Sequence, residues 1–358
     1  MTTHHQAIES LTDPPAAYPP SSPMGLSFDA DALRADLDRL RHRRWRAQRA
    51  YSQDGAATES GVDWRILPLR SVGGDPVRTD PGGAGLTDFA DTPWLAEAPA
   101  LAQVIDALPA PVRGVRLIAL GAGATVHEHR DYKYGFERGL LRLHVPIDTN
   151  PDAVVVIDGV SEHWTAGRLW FGDFGRRHYV ANGGDRARVH MVLDCLVSRE
   201  VVGLLPDEFL ELLPLSEVMF AREPVPLTAS DRDRLCCRFR LPGDFAQWSE
   251  EEVEARPDSD AAVLVHEDRL VLAVDGEPAF GLVHLGLGEF RLSGWSEERT
   301  IAIESTGQVR IRERAGRALR EWTRPAQFVQ DGRTTSAARD RLTTLSPSEL
   351  PPSDQTGR

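Results

Sequence analysis

The chain has 358 residues, of which 41% are hydrophobic and 27% charged, and its formal net charge is -13 at pH 7. This composition is that of a globular protein of one to three domains. The acidic balance argues against a nucleic acid or an anionic membrane as partner, since both need clustered positive charge. No apolar run reaches the roughly 20 residues of a membrane span, and Met1–Met24 lack a signal-peptide pattern. Three cysteines without disulfide or zinc spacing lead us to expect a cytoplasmic location.

The N-terminal third is predicted to contain two helices separated by long loops. Residues 1–25 are rich in Pro and Ser, and we expect them to be disordered. A helix is expected to start near Asp29, a plausible cap, because leucines recur at helical spacing at Leu33, Leu37 and Leu40. Residues 48–93 are rich in Gly, Asp, Pro and Thr and are predicted to form long loops. Residues 99–108 are predicted to form a second helix.

From Val115 onward the hydrophobic period changes to two, which predicts strands. Arg142 and His144 alternate with apolar residues and therefore share one strand face. In the later strand over 189–197, one face carries Arg188, His190, Val192 and Asp194. Short strands with turn signals between them, such as Asp158-Gly159, predict a mainly β antiparallel sandwich or barrel over residues 26–203.

The character of the chain changes again after about Val202. Residues 204–219 are leucine-rich and predicted to be helical, although Pro206 and Pro214 interrupt them. Further alternating strands follow, and a helix is predicted to end near Trp322. We therefore expect a C-terminal α+β domain over residues 204–325, and a disordered tail over residues 326–358.

A possible metal site begins at a glycine-rich turn over residues 121–124. The alternation of the following segment puts His127, His129 and Asp131 on one side, and His178 is a further histidine in a strand distant in sequence. Two histidines and one carboxylate are the ligand set of an iron site with three open positions. The alternation of side chains along the strand leaves two possible sets of metal ligands. One set includes Asp131, and the other includes His127.

A cosubstrate site is also indicated. A ferrous ion held in this way needs a second anionic molecule to supply electrons for oxygen activation. 2-Oxoglutarate would chelate the metal through its keto-acid end, and its distal carboxylate would need a cation. Arg188 lies ten residues after His178 on the next strand. Arginine suits a carboxylate because its planar fork makes bidentate hydrogen bonds.

Residues 28–200 resemble the aspartyl/asparaginyl β-hydroxylase family of Fe(II)/2-oxoglutarate-dependent dioxygenases. The resemblance is carried by the segments Leu69–Pro76, His129–Tyr132, Arg142–Asn150, His178–Asn182 and Arg188–Asp194. It implies a double-stranded β-helix, which is a jelly-roll or cupin-like core, preceded by helices. The part of the chain beyond about residue 205 has no counterpart in the resemblance.

The resemblance also implies which residues form the site. His129, Asp131 and His178 would be catalytic residues that bind Fe(II), and Arg188 would bind 2-oxoglutarate. Arg142 and His144 match an Arg-x-His strand that binds the carboxylate of either the cosubstrate or the substrate. With O2 as the other cosubstrate, the enzyme would hydroxylate an unactivated C–H bond.

The substrate implied by the resemblance is an aspartyl, asparaginyl or related amino-acid unit. It could be free, in a peptide or bound to a carrier, as in natural-product tailoring. The C-terminal region motivates the hypothesis that residues beyond about 205 grip a substrate larger than a free amino acid. The oligomeric state is left open.

Two other functions compete with the hydroxylase interpretation. One is a cupin-type metalloenzyme that uses His127, His129 and His178. The other is a non-enzymatic peptide-binding module with a degenerate core. Dependence on 2-oxoglutarate would separate the first from a hydroxylase, and iron binding would separate the second.

Overall fold

The structure is a computed structural model that describes residues 17–51, 57–59, 61–246 and 256–329. It divides into two compact units. Unit 1 comprises Met1–Arg222, Gly294–Arg299 and Glu313–Arg320, and unit 2 comprises Glu223–Ser293, Thr300–Arg312 and Glu321–Arg358. Unit 1 thus continues past the boundary predicted at residue 203, and it includes two short segments from late in the chain. Among the described residues, no helix has the length and apolar character needed to cross a membrane.

Unit 1 is built mainly of antiparallel strands. In chain order these are β1 (Ser21–Ser27), β2 (Arg46–Ala47), β3 (Arg49–Tyr51), β4 (Ala57–Glu59), β5 (Trp64–Val72), β6 (Phe89–Asp91), β7 (Val112–Leu120), β8 (Thr125–His129), β9 (Leu140–Asp148), β10 (Ala153–Ile157), β11 (Val160–Glu162), β12 (Arg168–Gly172), β13 (His178–Asn182) and β14 (Arg188–Leu196). An eight-stranded sheet has the order β1-β12-β9-β14-β7-β5-β2, with β6 paired to β5. A four-stranded sheet has the order β11-β10-β13-β8, and β3 pairs with β4.

The two larger sheets of unit 1 face each other. Val155 and Ile157 of the four-stranded sheet pack with Trp170 of the eight-stranded sheet in one buried cluster. We call the space between these two sheets the interior. The arrangement confirms the predicted mainly β, double-stranded β-helix architecture. The predicted hairpin is also confirmed, since Asp158 and Gly159 both have positive φ, as a tight two-residue turn requires.

Helices cover the outer face of the eight-stranded sheet. They are α1 (Ala30–Leu40), α2 (Pro99–Ala107), α3 (Arg199–Val202) and α4 (Asp207–Leu212), with 3-10 turns at Leu95–Glu97 and Phe136–Arg138. Asp29 caps α1 as predicted, because its side chain accepts the amide protons of Asp31 and Ala32. The apolar face of α1 packs in the main core with residues of β14 such as Met191.

Leu37 provides a test of this core, because it is fully buried on α1. We expect Leu37→Ala to lower the free energy of unfolding by about 2–5 kcal/mol, the usual cost of leaving a cavity at a buried leucine. Leu212 of α4 is 47% exposed, and Leu212→Ala should change it by less than about 0.5 kcal/mol. Denaturant unfolding followed by tryptophan fluorescence measures both. Equal effects of the two substitutions would contradict this description of the core.

Two expectations for the N-terminal region are wrong. Residues 1–16 lie outside the described residues, but β1 includes part of the segment expected to be disordered, because it pairs with β12 and buries Met24. The loop predicted over residues 48–93 contains β5, a long strand of the eight-stranded sheet. Pro68 argued against predicting a strand here, because proline is unusual inside a sheet. It is tolerated here beside an irregularity of the β5–β7 pairing between Pro68 and Arg70.

The C-terminal region forms a nine-stranded sheet, most of whose residues belong to unit 2. Its strands are β15 (Cys237–Leu241), β16 (Ser259–His266), β17 (Arg269–Val274), β18 (Glu277–His284), β19 (Glu289–Leu292), β20 (Arg299–Glu304), β21 (Gln308–Ala315), β22 (Ala318–Pro325) and β23 (Gln327–Phe328). The order β22-β21-β20-β19-β18-β17-β16-β15-β23 joins neighbours in sequence, except that β23 adds to β15. One short helix, α5 (Ala229–Arg234), precedes it.

Two predictions for this region differ from the structure. The helix predicted to end near Trp322 is wrong, because this segment is β22 and pairs with β21. The tail predicted to be disordered begins with β23, whose Phe328 lies opposite Cys237. Residues 330–358 of that tail lie outside the described residues.

Candidate active site

A β-bulge decides which histidine of β8 points into the interior. His129 lies directly opposite His178 of β13, and Val126 lies opposite Val180. Between these two pairs β8 therefore contains one residue more than β13, and an extra residue breaks the alternation of side chains. The rings of His129 and His178 are 4.2 Å apart, whereas the side chain of His127 is exposed. The expectation that His127 shares a side with His129 is therefore wrong.

Backbone carbonyls fix the orientation of both interior histidines. The Nδ1 atom of His129 is 2.8 Å from the carbonyl oxygen of His127, and Nδ1 of His178 is 2.9 Å from that of Arg176. A ring nitrogen bonded to a carbonyl must carry the proton, which leaves the lone pair on Nε2. Burial lowers the pKa of His178 to about 4, so its ring is neutral at physiological pH. Both rings thus present an Nε2 atom suited to bind a metal ion.

Asp131 completes the group from the loop after β8. Its amide donates to the carbonyl of Phe174 at 2.9 Å, and its own carbonyl accepts the amide of Tyr134 at 3.0 Å. The Oδ1 atom lies 4.0 Å from Nε2 of His129. One possible ligand atom from each of His129, Asp131 and His178 lies within 4.8 Å of the other two. Two imidazole nitrogens and one carboxylate oxygen are the donor set of a non-haem Fe(II) site, so these residues fit that ion.

The other oxygen of Asp131, Oδ2, forms an ion pair with Nη1 of Arg142. Arg142 lies on β9 directly opposite Asp194 of β14. Its Nε is 2.8 Å from Oδ1 of Asp194 and its Nη2 3.3 Å from Oδ2, while Nη2 also donates to the hydroxyl of Tyr134. Burial alone would raise the pKa of Asp194, but Arg142 and Arg116 hold it well below its usual range. Arg142 is thus bonded to acceptors of the protein itself, and its contact with cosubstrate or substrate stays a prediction.

Arg188 is a buried cation without a counter-charge in the described structure. It begins β14, its side chain faces the interior with His190, and it is 4% exposed. Burial lowers its pKa to about 10, so the guanidinium remains charged at neutral pH. No described carboxylate forms an ion pair with it, and its buried Nη1 has no hydrogen-bond partner among the described residues. Because an unpaired buried charge costs several kcal/mol, this position is suited to an anion.

Ring contacts connect the metal-ligand group to the surroundings of Arg188. The ring of Phe174 is 4.9 Å from that of His178 and 5.0 Å from that of His144. The Nδ1 atoms of His144 and His190 are 3.2 Å apart. Burial, and then the nearby charge of Arg188, lowers the pKa of both rings well below the usual value. Both rings are therefore neutral, and their contact requires that they adopt opposite tautomers.

Further polar atoms of the interior lack partners among the described residues, and two of them lie on neighbouring strands. These two are Nε2 of His144 and Nε1 of Trp170. These residues are direct neighbours across β9 and β12, and Trp164 stacks on Trp170 with ring centres 5.5 Å apart. Buried polar atoms in native proteins nearly always have a partner. Together with Nη1 of Arg188, they indicate that a polar molecule belongs in the interior.

The sequence did not single out every residue of this environment. Asp194 was expected on the same strand face as Arg188, but its pairing with Arg142 depends on the register between β9 and β14. No sequence signal pointed to Trp170 or Tyr134. Arg116 lies on β7, and its partners come from distant parts of the chain, so its role could not be predicted from spacing.

A cavity of about 790 Å³ lies in unit 1 beside this environment. Its lining includes Trp64, Thr79 and arginines at Arg44, Arg46 and Arg78. The carbonyl of Thr79 accepts a hydrogen bond from Nη1 of Arg116 at 3.2 Å. None of the three candidate metal ligands lines the cavity, so it does not contain the metal-ligand group.

The fold and the site define a class of protein. A double-stranded β-helix with two histidines and one carboxylate on one face is the arrangement of non-haem Fe(II) oxygenases. Residues 27–197 match the family model described as aspartyl/asparaginyl β-hydroxylase. These residues are somewhat less than half of the chain, and over them it is similar to that family.

Comparison with solved structures finds low similarities. An oxidoreductase of the 2OG-Fe(II) oxygenase family from Burkholderia pseudomallei is 11% identical, with a TM-score of 0.31 over 45% of this chain and 78% of that one. A Pseudomonas putida prolyl-4-hydroxylase is 16% identical, with a TM-score of 0.30 over 49% and 92%. A cupin domain from Bordetella pertussis is 20% identical, with a TM-score of 0.20 over 24% and 81%. No curated protein matches the chain.

Proposed function

We propose that the chain is an Fe(II)/2-oxoglutarate-dependent hydroxylase in which His129, Asp131 and His178 bind the iron. Arg188 would bind the distal carboxylate of 2-oxoglutarate. The observation that carries this proposal is the buried guanidinium of Arg188, which has no ion pair among the described residues and no partner there for its Nη1, in the same interior as the metal-ligand group. An anion at this position offsets the desolvation of the cation, and the fork of arginine suits a carboxylate.

Iron bound there, with 2-oxoglutarate and O2, supplies the oxidising power to hydroxylate an unactivated C–H bond, and succinate and carbon dioxide are released. The residues of the chain bind, orient and exclude water. His127 and Arg176 offer carbonyls that keep the Nε2 lone pairs of His129 and His178 available. The rings of Trp164 and Phe174 pack against His144 and would help to exclude water from the interior.

The proposed substrate is an aspartyl, asparaginyl or related amino-acid unit, hydroxylated at its β-carbon. Support for this comes from the match of residues 27–197 to the aspartyl/asparaginyl β-hydroxylase family model. The cavity that includes Thr79 would have room for the remainder of a peptide or of a carrier-bound substrate. Its arginines are partly offset by Asp63, Asp75 and Asp80, so the cavity does not by itself select a strongly anionic partner.

The cupin alternative loses support from the bulge in β8. It requires His127 as a ligand together with His129 and His178, but the side chain of His127 is exposed. The group of possible ligand atoms found among the described residues contains Asp131 instead. A non-enzymatic peptide-binding module gives no reason for three matched ligands, nor for a buried arginine without an ion pair among the described residues.

The test uses the full chain and two measurements. Addition of Fe(II) and 2-oxoglutarate without oxygen should produce a visible charge-transfer band. Under oxygen, a panel of aspartyl and asparaginyl compounds, offered free, in peptides and on carriers, should give succinate in proportion to hydroxylated product, and a chelator should stop the reaction. Absence of both the band and 2-oxoglutarate-dependent succinate would favour the non-enzymatic module.

A further inference from the structure

Asp194 lies at the centre of a buried group of charges next to Asp131. It is 3% exposed, and it faces Arg142 across the β9–β14 pairing. The contact is two-pronged, since Nε and Nη2 of Arg142 each approach a different oxygen of Asp194, at 2.8 Å and 3.3 Å. A bidentate pair fixes the plane of the guanidinium as well as its position.

A second arginine holds Asp194 from the other side. Nη2 of Arg116 is 3.4 Å from Oδ2 of Asp194, and Arg116 is itself 4% exposed. Its Nη1 donates to the carbonyl of Thr79, which ties the guanidinium to the backbone. Asp194 is therefore fixed in place, and it in turn determines where Arg142 lies.

The fixed guanidinium then acts on Asp131. Nη1 of Arg142 holds Oδ2 of Asp131, whereas Oδ1 is the oxygen nearer to Nε2 of His129, at 4.0 Å. A carboxylate held by one oxygen presents the other in a defined direction. Asp194 also supplies a negative charge close to Arg116 and Arg142, which offsets repulsion between these cations and a divalent ion.

We propose that Asp194 is the positioning residue for the candidate metal site, acting through Arg142 to present Oδ1 of Asp131 to the ion. This inference rests on the proposed function, because it takes His129, Asp131 and His178 as the ligands. It goes further by assigning a role to the two successive ion pairs that connect Asp194 of β14, through Arg142, to Asp131. Replacing a residue that orients a metal ligand without binding the metal itself typically changes metal affinity by about 10- to 100-fold.

The test is a titration of the full chain with Co(II) in the absence of oxygen, followed by the visible absorption of the bound ion. We expect Asp194→Asn to weaken Co(II) binding about 10- to 100-fold and to change the absorption bands. The matched control is Asp36→Asn. Asp36 is a fully buried carboxylate on α1 that accepts the amides of Ala100 and Leu101. Its replacement should leave both the affinity and the bands unchanged.

A second variant covers the case in which Asp194→Asn does not fold. Arg142→Lys keeps the positive charge but loses the fork that joins Asp194 to Asp131, so it should also weaken Co(II) binding and change the bands. The proposal would be overturned if either variant folded, bound Co(II) with an affinity within twofold of that of the unmodified chain, and showed unchanged absorption bands. If the unmodified chain bound no Co(II), the proposed function itself would fail, and the positioning role would fail with it.

Discussion

Replacement of Arg188 by alanine is expected to weaken 2-oxoglutarate binding by about 30- to 3,000-fold. Loss of one partner of a buried, hydrogen-bonded charge pair costs about 2–5 kcal/mol, and each 1.4 kcal/mol is about tenfold in affinity. Arg188 suits this role because it is buried and has neither an ion pair nor a partner for Nη1 among the described residues. Titration with 2-oxoglutarate in the presence of Fe(II) and without oxygen measures the effect.

Two comparisons make this experiment specific. Arg188→Lys keeps the charge but not the planar fork, so its loss of affinity should lie between those of alanine and the unmodified chain. Arg186 precedes the same strand but has an 87% exposed side chain, and Arg186→Ala should leave the affinity unchanged. Binding of Fe(II) alone should not respond to any of the three. An affinity for 2-oxoglutarate within threefold of normal in Arg188→Ala would remove Arg188 from the proposed site.

Local sequence patterns were sufficient for the strands that form the interior. The alternation over 141–147 and 188–195 predicted which side chains share a face, and the register of β9 against β14 confirms it by placing Asp194 opposite Arg142. Both strands lie in the middle of the eight-stranded sheet, with one face toward the main core and the other toward the interior. The two-residue period of their sequences therefore agrees with the faces that the structure gives their side chains. The same logic predicted α1 from its leucines and its cap.

Alternation failed where the backbone is irregular. Because of the bulge in β8, the side chain of His127 does not face the interior. An irregularity of the β5–β7 pairing accommodates Pro68 in a strand that was expected to be a loop. A bulge is recognised by counting residues against the partner strand, and the partner of β8 is about fifty residues later in the chain. Such features depend on pairings distant in sequence, which a local pattern does not contain.

The role of the C-terminal region needs a different test from its deletion. Unit 1 includes residues 294–299, and within it Nη1 of Arg138 pairs with Oε1 of Glu298 at 2.6 Å. The hydroxyl of Ser296 also donates to the carbonyl of Arg138 at 2.6 Å. Arg138 belongs to the turn that follows Tyr134 and Asp131, so a truncation would disturb the loop that bears a candidate metal ligand. Substitutions within 223–293 probe substrate contacts without removing part of unit 1.

The metal-ligand assignment gives the second large expected effect. His129→Ala, Asp131→Ala and His178→Ala should each reduce 2-oxoglutarate-dependent succinate formation by more than about 100-fold, because each removes a donor from a three-ligand site. Co(II) titration of the same variants tests whether the cause is loss of the ion. Circular dichroism establishes that the variants fold, since His178 lies at the start of a strand.

His127→Ala is the matched control, since it changes a histidine two residues from a candidate ligand. The side chain of His127 is exposed, and what the site uses is its carbonyl, which holds Nδ1 of His129. Because the substitution leaves that carbonyl in place, activity and Co(II) affinity should stay within about twofold of normal. A loss as large as that of His129→Ala would support the cupin ligand set. An unchanged His127→Ala together with an inactive Asp131→Ala leaves the set with Asp131 as the one that agrees with both the bulge and the chemistry.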